Sequence, residues 1–287
     1  MKRLRPWLLW LGLAFTWTLA VAFGGQTGLA AQVAAALSIL VMTGHAVVGL
    51  GRIEACAFAA ICLLVTFTME NVGVLTGFPF GHYVFLVESG LPHIGVIPPI
   101  VGALYFGVGY ASWVIANLLL NGRMAPLARH GVVALPILSA FVMTQWDVVM
   151  DPAGSTLAKA WVWRDGGGYF GVPLSNFLGW FLVTWLYFQG FALFACRRRT
   201  QESPRPHSQL FWAIPVLSYL AAGLCHLPRL FDADARLVDG GGRVWSASDL
   251  RETAVVVMLF TMTPTAFVAL LRLASPSRST PAAAAPP

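Results

Sequence analysis

Charge is what this chain has least of. Only 10 % of its 287 residues are Asp, Glu, Lys or Arg, while 57 % are hydrophobic. Soluble domains carry about 25 % charged residues, so a soluble globule is excluded and an all-α, polytopic membrane helix bundle is expected. Cysteine is scarce as well: Cys56, Cys62, Cys196 and Cys225 all lie in or beside apolar runs. None has a C-x-x-C partner, so neither a disulfide framework nor a zinc site is indicated. The six histidines are scattered and show no H-E-x-x-H or similar spacing, which argues against metal-dependent oxygen chemistry on lipid. No Walker A sequence occurs, and "GGGYFG" lacks the strand and helix that a dinucleotide site needs. No cofactor and no metal are therefore expected.

What the chain does have is apolar length. Eight runs, 7–23, 28–50, 53–70, 94–120, 130–150, 174–196, 210–228 and 252–273, approach the ~20 residues that cross a bilayer. The first follows "KRLRP" and ends near "AVA", as a secretory signal would. With seven more spans behind it, it is expected to stay as an uncleaved helix. Residues 1–273 then form one transmembrane domain, and the Ala/Pro-rich tail 274–287 is expected to be disordered. No internal repeat supports an inverted-repeat transporter.

Charges between the spans set the orientation. With a cytoplasmic N-terminus, 12 basic residues and two acids fall inside, against six basic residues and ten acids outside. Both termini are thus expected in the cytoplasm of a cell-membrane protein. The net charge of +6 then reports topology rather than nucleic-acid binding. Three long loops, 71–93, 151–173 and 229–251, fall on the outer face and carry most of the unusual residues.

Three stretches hold residue types that do chemistry. "TFTMENVGVLTGFPFGHYVF" (66–85) leaves the third span with Glu70 and Asn71 at its end, next to Thr66 and Thr68. An acid there sits in interfacial water or in a polar pocket. "TQWDVVMDPAG" (144–154) places Asp147 and Asp151 four apart, on one helix face about a turn from each other. Two carboxylates that close disfavour joint ionisation, so one can act as a general acid while its partner stays a base. The plainer reading is that Asp151-Pro152 ends the helix; Trp146 beside the pair favours a site. "WVWRDGGGYFGVPLSNFLGW" (161–180) crowds Trp161, Trp163, Tyr169, Phe170, Phe177 and Trp180 around glycines and Asn176. An interfacial aromatic belt would explain the rings but not the glycine run, and aromatic faces also stabilise cations.

Together these stretches resemble one family. The patterns "EN.GV.TG.PFG.Y" (70–83), "D...DP" (147–152) and "W.W..GG.YFGVP..NF.GW" (161–180) are similar to those of the membrane carotenoid 1′,2′-hydratases. That family includes bacterial γ-carotene 1′-hydratases and the bisanhydrobacterioruberin hydratases of haloarchaea. Phe85 departs from the pattern, standing where a second tyrosine is expected. The stretch 229–251 matches nothing in it, so its acids stay outside the site.

The resemblance implies cofactor-free addition of water to the terminal C1′=C2′ bond of an acyclic ψ-end, lycopene- or γ-carotene-like, giving a tertiary 1′-hydroxyl. Such a hydro-lyase needs an acid near C2′, shelter for a cation at C1′ and a directed water. Glu70, Asp147 and Asp151 are the candidates for acid and base. Asn71 and Asn176 are candidates to orient water. Tyr83, Trp146, Trp161, Trp163, Tyr169 and Phe170 are candidates for the aromatic cage, with the loop after Trp161 as its lid. The partners implied are the polyene and the lipid bilayer, without nucleic acid, and association with other enzymes of the pathway is open. An end-group cyclase would use the same acids and cage but exclude water, and a carrier of apolar ligands would use no acid at all.

Overall fold

The computed structural model of the chain describes residues 6–23, 29–86, 92–125, 127, 131–198 and 207–275; the tail expected to be disordered lies almost wholly outside them. The apolar runs become α1 (Pro6–Phe23), α2 (Leu29–Gly49), α3 (Arg52–Thr76), α4 (Pro99–Asn121), α5 (Gly131–Pro152), α6 (Leu174–Arg198) and α7 (Gln209–Leu224). The eighth run is broken at Thr261 into α8 (Ala247–Phe260) and α9 (Met262–Ala274). Among the described residues, six helical segments are long and apolar enough to cross a membrane, α8 and α9 counting as one. Leu64, Leu75, Leu174 and Phe260 are all at least 70 % exposed, which suits a lipid-facing surface. The chain is a polytopic helical membrane protein.

Helices α3, α4, α5 and α6 pack in a closed ring, each against the next, while α7 and α9 back α4 and α1 joins α2 and α7. At one end of the ring Arg198 pairs with Glu54 at 3.6 Å, and Arg272 Nη2 donates to Leu119 O at 3.1 Å. The basic ends of α3, α4, α6 and α9 therefore lie together.

The other end differs from the sequence reading in three places. The third span does not stop at Glu70: α3 continues to Thr76 and ends at Gly77, whose φ of 82° lets its N–H bond Gly73 O. Glu70 is consequently inside the helix. α5 does end at the Asp151-Pro152 pair, but the chain stays helical beyond it. The chain passes through Pro152 into a π-helical turn, Ala153–Leu157, a widening that suits a proline without an N–H. The loops expected to be irregular form two short antiparallel ribbons. β1 (Tyr83–Phe85) pairs with β2 (Trp161–Trp163), Tyr83 opposite Trp163 and Phe85 opposite Trp161. β3 (Arg236–Val238) pairs with β4 (Val244–Ser246). Both β1 and β2 alternate aromatics about a valine, the residue types that stabilise cross-strand pairs.

Candidate active site

At the end of the four-helix ring away from Arg198 and Glu54, the β1–β2 ribbon closes over a cavity of about 80 Å³. One water needs roughly 10–15 Å³, so the cavity has room for a few carbon atoms with a water beside them. Its polar lining is Glu70, Asp151, Asn176, Tyr83 and Tyr105; its rings are Phe80, Phe85, Trp146, Trp161, Trp163 and Trp180.

Glu70 is 4 % exposed and is held from both sides by phenols. Tyr105 donates to Oε1 at 2.7 Å, and Tyr83 donates to Oε2. Burial, followed by the neighbouring Glu70 carboxyl, holds the Tyr83 phenol well above its ordinary range, so it keeps its proton and stays a donor. The approach of β1 to α3 depends on Phe80, whose ring rests on α6 at Gly179: a Cβ there would lie 2.7 Å from Phe80 Cδ1. Trp163 Nε1 then donates to Phe80 O at 2.9 Å, tying the second ribbon strand to the same turn.

The aspartates are held differently. Asn176, in the first turn of α6, donates one amide hydrogen to Asp151 Oδ2 at 2.5 Å and the other to Asp147 Oδ2 at 3.1 Å. Asp147 is fully buried behind Asp151, the two carboxyls are within hydrogen-bonding reach of each other, and Trp161 stands within reach of Asp151. Asp147 Oδ1 takes no N–H or hydroxyl donor among the described residues. Among those residues no cation forms a salt bridge with any of the three carboxyls. The site thus holds one carboxyl gripped by two phenols and a second pair sharing one amide.

The sequence-derived candidates separate cleanly. Glu70, Tyr83, Trp146, Asp151, Trp161, Trp163 and Asn176 line the cavity, and Asp147 joins them through Asn176. Asn71 lies elsewhere: its amide donates to Phe67 O and Ile94 O and accepts from Val96 N, bracing the turn before α4. Tyr169 and Phe170 also lie off the cavity, in a separate aromatic cluster where Phe170 meets Trp245 at 5.1 Å. Tyr105 and Trp180 were not among the candidates. They stack at 4.3 Å across the ring from α4 to α6, and Tyr105 supplies the second phenol to Glu70. The signal for Tyr105 was a chemical demand, since a buried acid needs donors, yet Tyr110 and Tyr187 sit in equally apolar helices and only packing selects among them. Phe85, in the position of the expected tyrosine, lines the cavity 5.5 Å from the Tyr83 ring.

The site is thus an apolar, aromatic-walled chamber with buried acids inside a membrane helix bundle. The chain matches the family model described as carotenoid biosynthesis protein over residues 30–231, a stretch that contains every residue of the cavity, and it belongs to that family. Bisanhydrobacterioruberin hydratase of Haloarcula japonica is 30 % identical over 145 residues, 49 % of this chain and 47 % of the relative. The chain thus spans about half the length of that curated relative. No solved structure matches.

Proposed function

We propose that the chain is a carotenoid hydratase, adding water across the terminal C1′=C2′ bond of an acyclic ψ-end to give a tertiary 1′-hydroxyl. The observation that carries this reading is the presence of two differently held carboxyl sets in one aromatic cavity. Hydration of such an alkene needs an acid and a base that are not the same group. Asp151, on the cavity wall and sharing Asn176 with Asp147, delivers the proton to C2′. The π bond breaks, a C–H bond forms, and the tertiary cation at C1′ lies among the faces of Trp146, Trp161 and Trp180. Water adds its oxygen to C1′, and its proton passes to Glu70, kept an acceptor by its two phenols. The proton returns to the aspartate pair before the next turnover. The reaction is redox-neutral and is written without a cofactor. The bisanhydrobacterioruberin hydratase likeness supports the reaction class.

The test is mass spectrometry of carotenoids from a lycopene- or γ-carotene-producing host expressing the chain in H₂¹⁸O. A new pigment heavier by one labelled water is expected. Label arriving only from O₂ overturns the reading in favour of an oxygenase. A ring without added oxygen points to a cyclase, and no new pigment to a carrier. The outward-facing site is proposed on the charge count and is tested by labelling Asp165→Cys from outside, with Arg197→Cys labelled only after permeabilisation. The reverse pattern turns the topology over.

A further inference from the structure

The end-group cavity cannot hold a whole polyene. It measures about 80 Å³, whereas pockets that enclose drug-sized ligands run to roughly 300–1,000 Å³. A second cavity, of about 40 Å³, lies where α2, α4, α5 and α7 meet. Two features join it to the first. The Trp146 indole is a wall of both. On α4, Val101 and Leu104 line the first cavity while Val108 and Ala111 line the second, and steps of three and four residues put all four on one helix face. Trp146 Nε1 makes no hydrogen bond among the described residues, so no polar contact ties the indole to one rotamer. Ser38 and Met42, on the far wall of the second cavity, lie at the middle of α2, an apolar helix.

We propose that the second cavity begins a subsite for the substrate's polyene chain. From the end-group cavity the chain runs along the Val101–Ala111 face of α4, across Trp146, and into the space between α2 and α7. Its fit there sets the preference for long substrates. This inference rests on the hydratase reading.

Ser38→Leu and Ala222→Leu fill the second cavity without touching a carboxyl. Hydration of lycopene and of a half-length acyclic isoprenoid hydrocarbon with the same isopropylidene end is compared by kcat/KM. The long-to-short preference is expected to fall by about 10–200-fold in the variants, the range that one misplaced methylene produces in an apolar pocket. An unchanged preference overturns the proposal: with both rates kept, the chain leaves sideways into lipid, and with both rates lost, the cavity serves folding alone. Failure of the hydratase reading is distinguishable, because the unmutated chain then hydrates neither hydrocarbon.

Discussion

The same four helices build two unlike ends, an inner and an outer one in the orientation expected from the charge count. At the inner end Phe58 of α3 meets six rings from α4 and α6, with centroids between 4.9 and 6.4 Å: Phe106, Tyr110, Trp113, Tyr187, Phe188 and Phe191. Most of these contacts are edge-to-face, the geometry that ring quadrupoles favour. At the outer end the ring opens around three buried carboxyls. Burying such groups costs free energy, and the closely packed inner end is what lets the fold tolerate them. The contrast teaches that position along one helix separates two environments: α3 supplies Phe58 to packing and Glu70 to the cavity, three turns apart.

That division is tested first by changing the outer end alone. Glu70→Gln and Asp151→Asn are each expected to lower hydration by about 10²–10⁴-fold, with thermal unfolding in detergent nearly unchanged. Solvent deuterium separates their roles. Asp151→Asn should stop deuterium entering the substrate at all. Glu70→Gln should still let the alkene be protonated, so recovered substrate gains deuterium without gaining oxygen. Equal deuterium uptake in both variants would remove the assignment of acid and base.

The converse change strikes the inner end. Phe58→Ala is expected to cost stability near the lower part of the roughly 3–5 kcal/mol range known for buried Phe→Ala. In lipid the transfer contribution is weak and the lost packing contacts dominate. Unfolding in SDS titrations measures this. Hydration per folded molecule should hold, and a proportionate loss of activity would show that the two ends are coupled.

Much of this contrast was legible beforehand. Apolar length located the helices, and the four-residue spacing of Asp147 and Asp151 put both at one place. The end of α3 was misjudged because Glu70 looks like a boundary on hydropathy alone. What holds it inside the helix is a pair of phenols 13 and 35 residues away, a tertiary contact that no local pattern encodes. The ribbons escaped notice because three-residue strands are too short for an alternation to register. The stretch 229–251 had no pattern to match, yet it buttresses the loop that follows β2, part of which was expected to cover the cavity but lies off it.

That buttress gives a smaller effect. Asp239, 7 % exposed, accepts from Gly241 N and Arg243 N at 2.9 Å each and from Trp245 Nε1 at 2.8 Å. The β3–β4 hairpin it shapes reaches that loop through Arg243 Nη1, which donates to Gly167 O at 3.3 Å. Lys159 Nζ donates back to Val238 O. Asp239→Ala leaves three donors without an acceptor and is expected to destabilise this layer by about 1–3 kcal/mol. Faster hydrogen exchange over 161–172, with α3 and α4 unchanged, is the expected readout; exchange spread evenly through the bundle would deny this layer its independence.

The smallest effect lies at the rim of the same hairpin. Asp234 Oδ1 accepts from Ser248 N at 2.9 Å and Ser246 Oγ at 3.0 Å, and Ser246 Oγ in turn caps α8 by accepting from Asp249 N. Those donors, the Ser248 N–H first, hold the Asp234 carboxyl down to about 2, below its unfolded value of about 3.9. The folded form therefore binds the proton more weakly. Its contribution is complete above about pH 4 and is lost as pH falls through about 2. Asp234 is fully exposed, so the effect is confined to fraying of the first turn of α8. Protection of the Ser248 and Asp249 amides, measured against their intrinsic exchange rates, should fall on acidification in the unmutated chain and be low at every pH in Asp234→Ala. A first turn equally protected in both proteins near neutral pH would mean that Ser246 alone caps the helix.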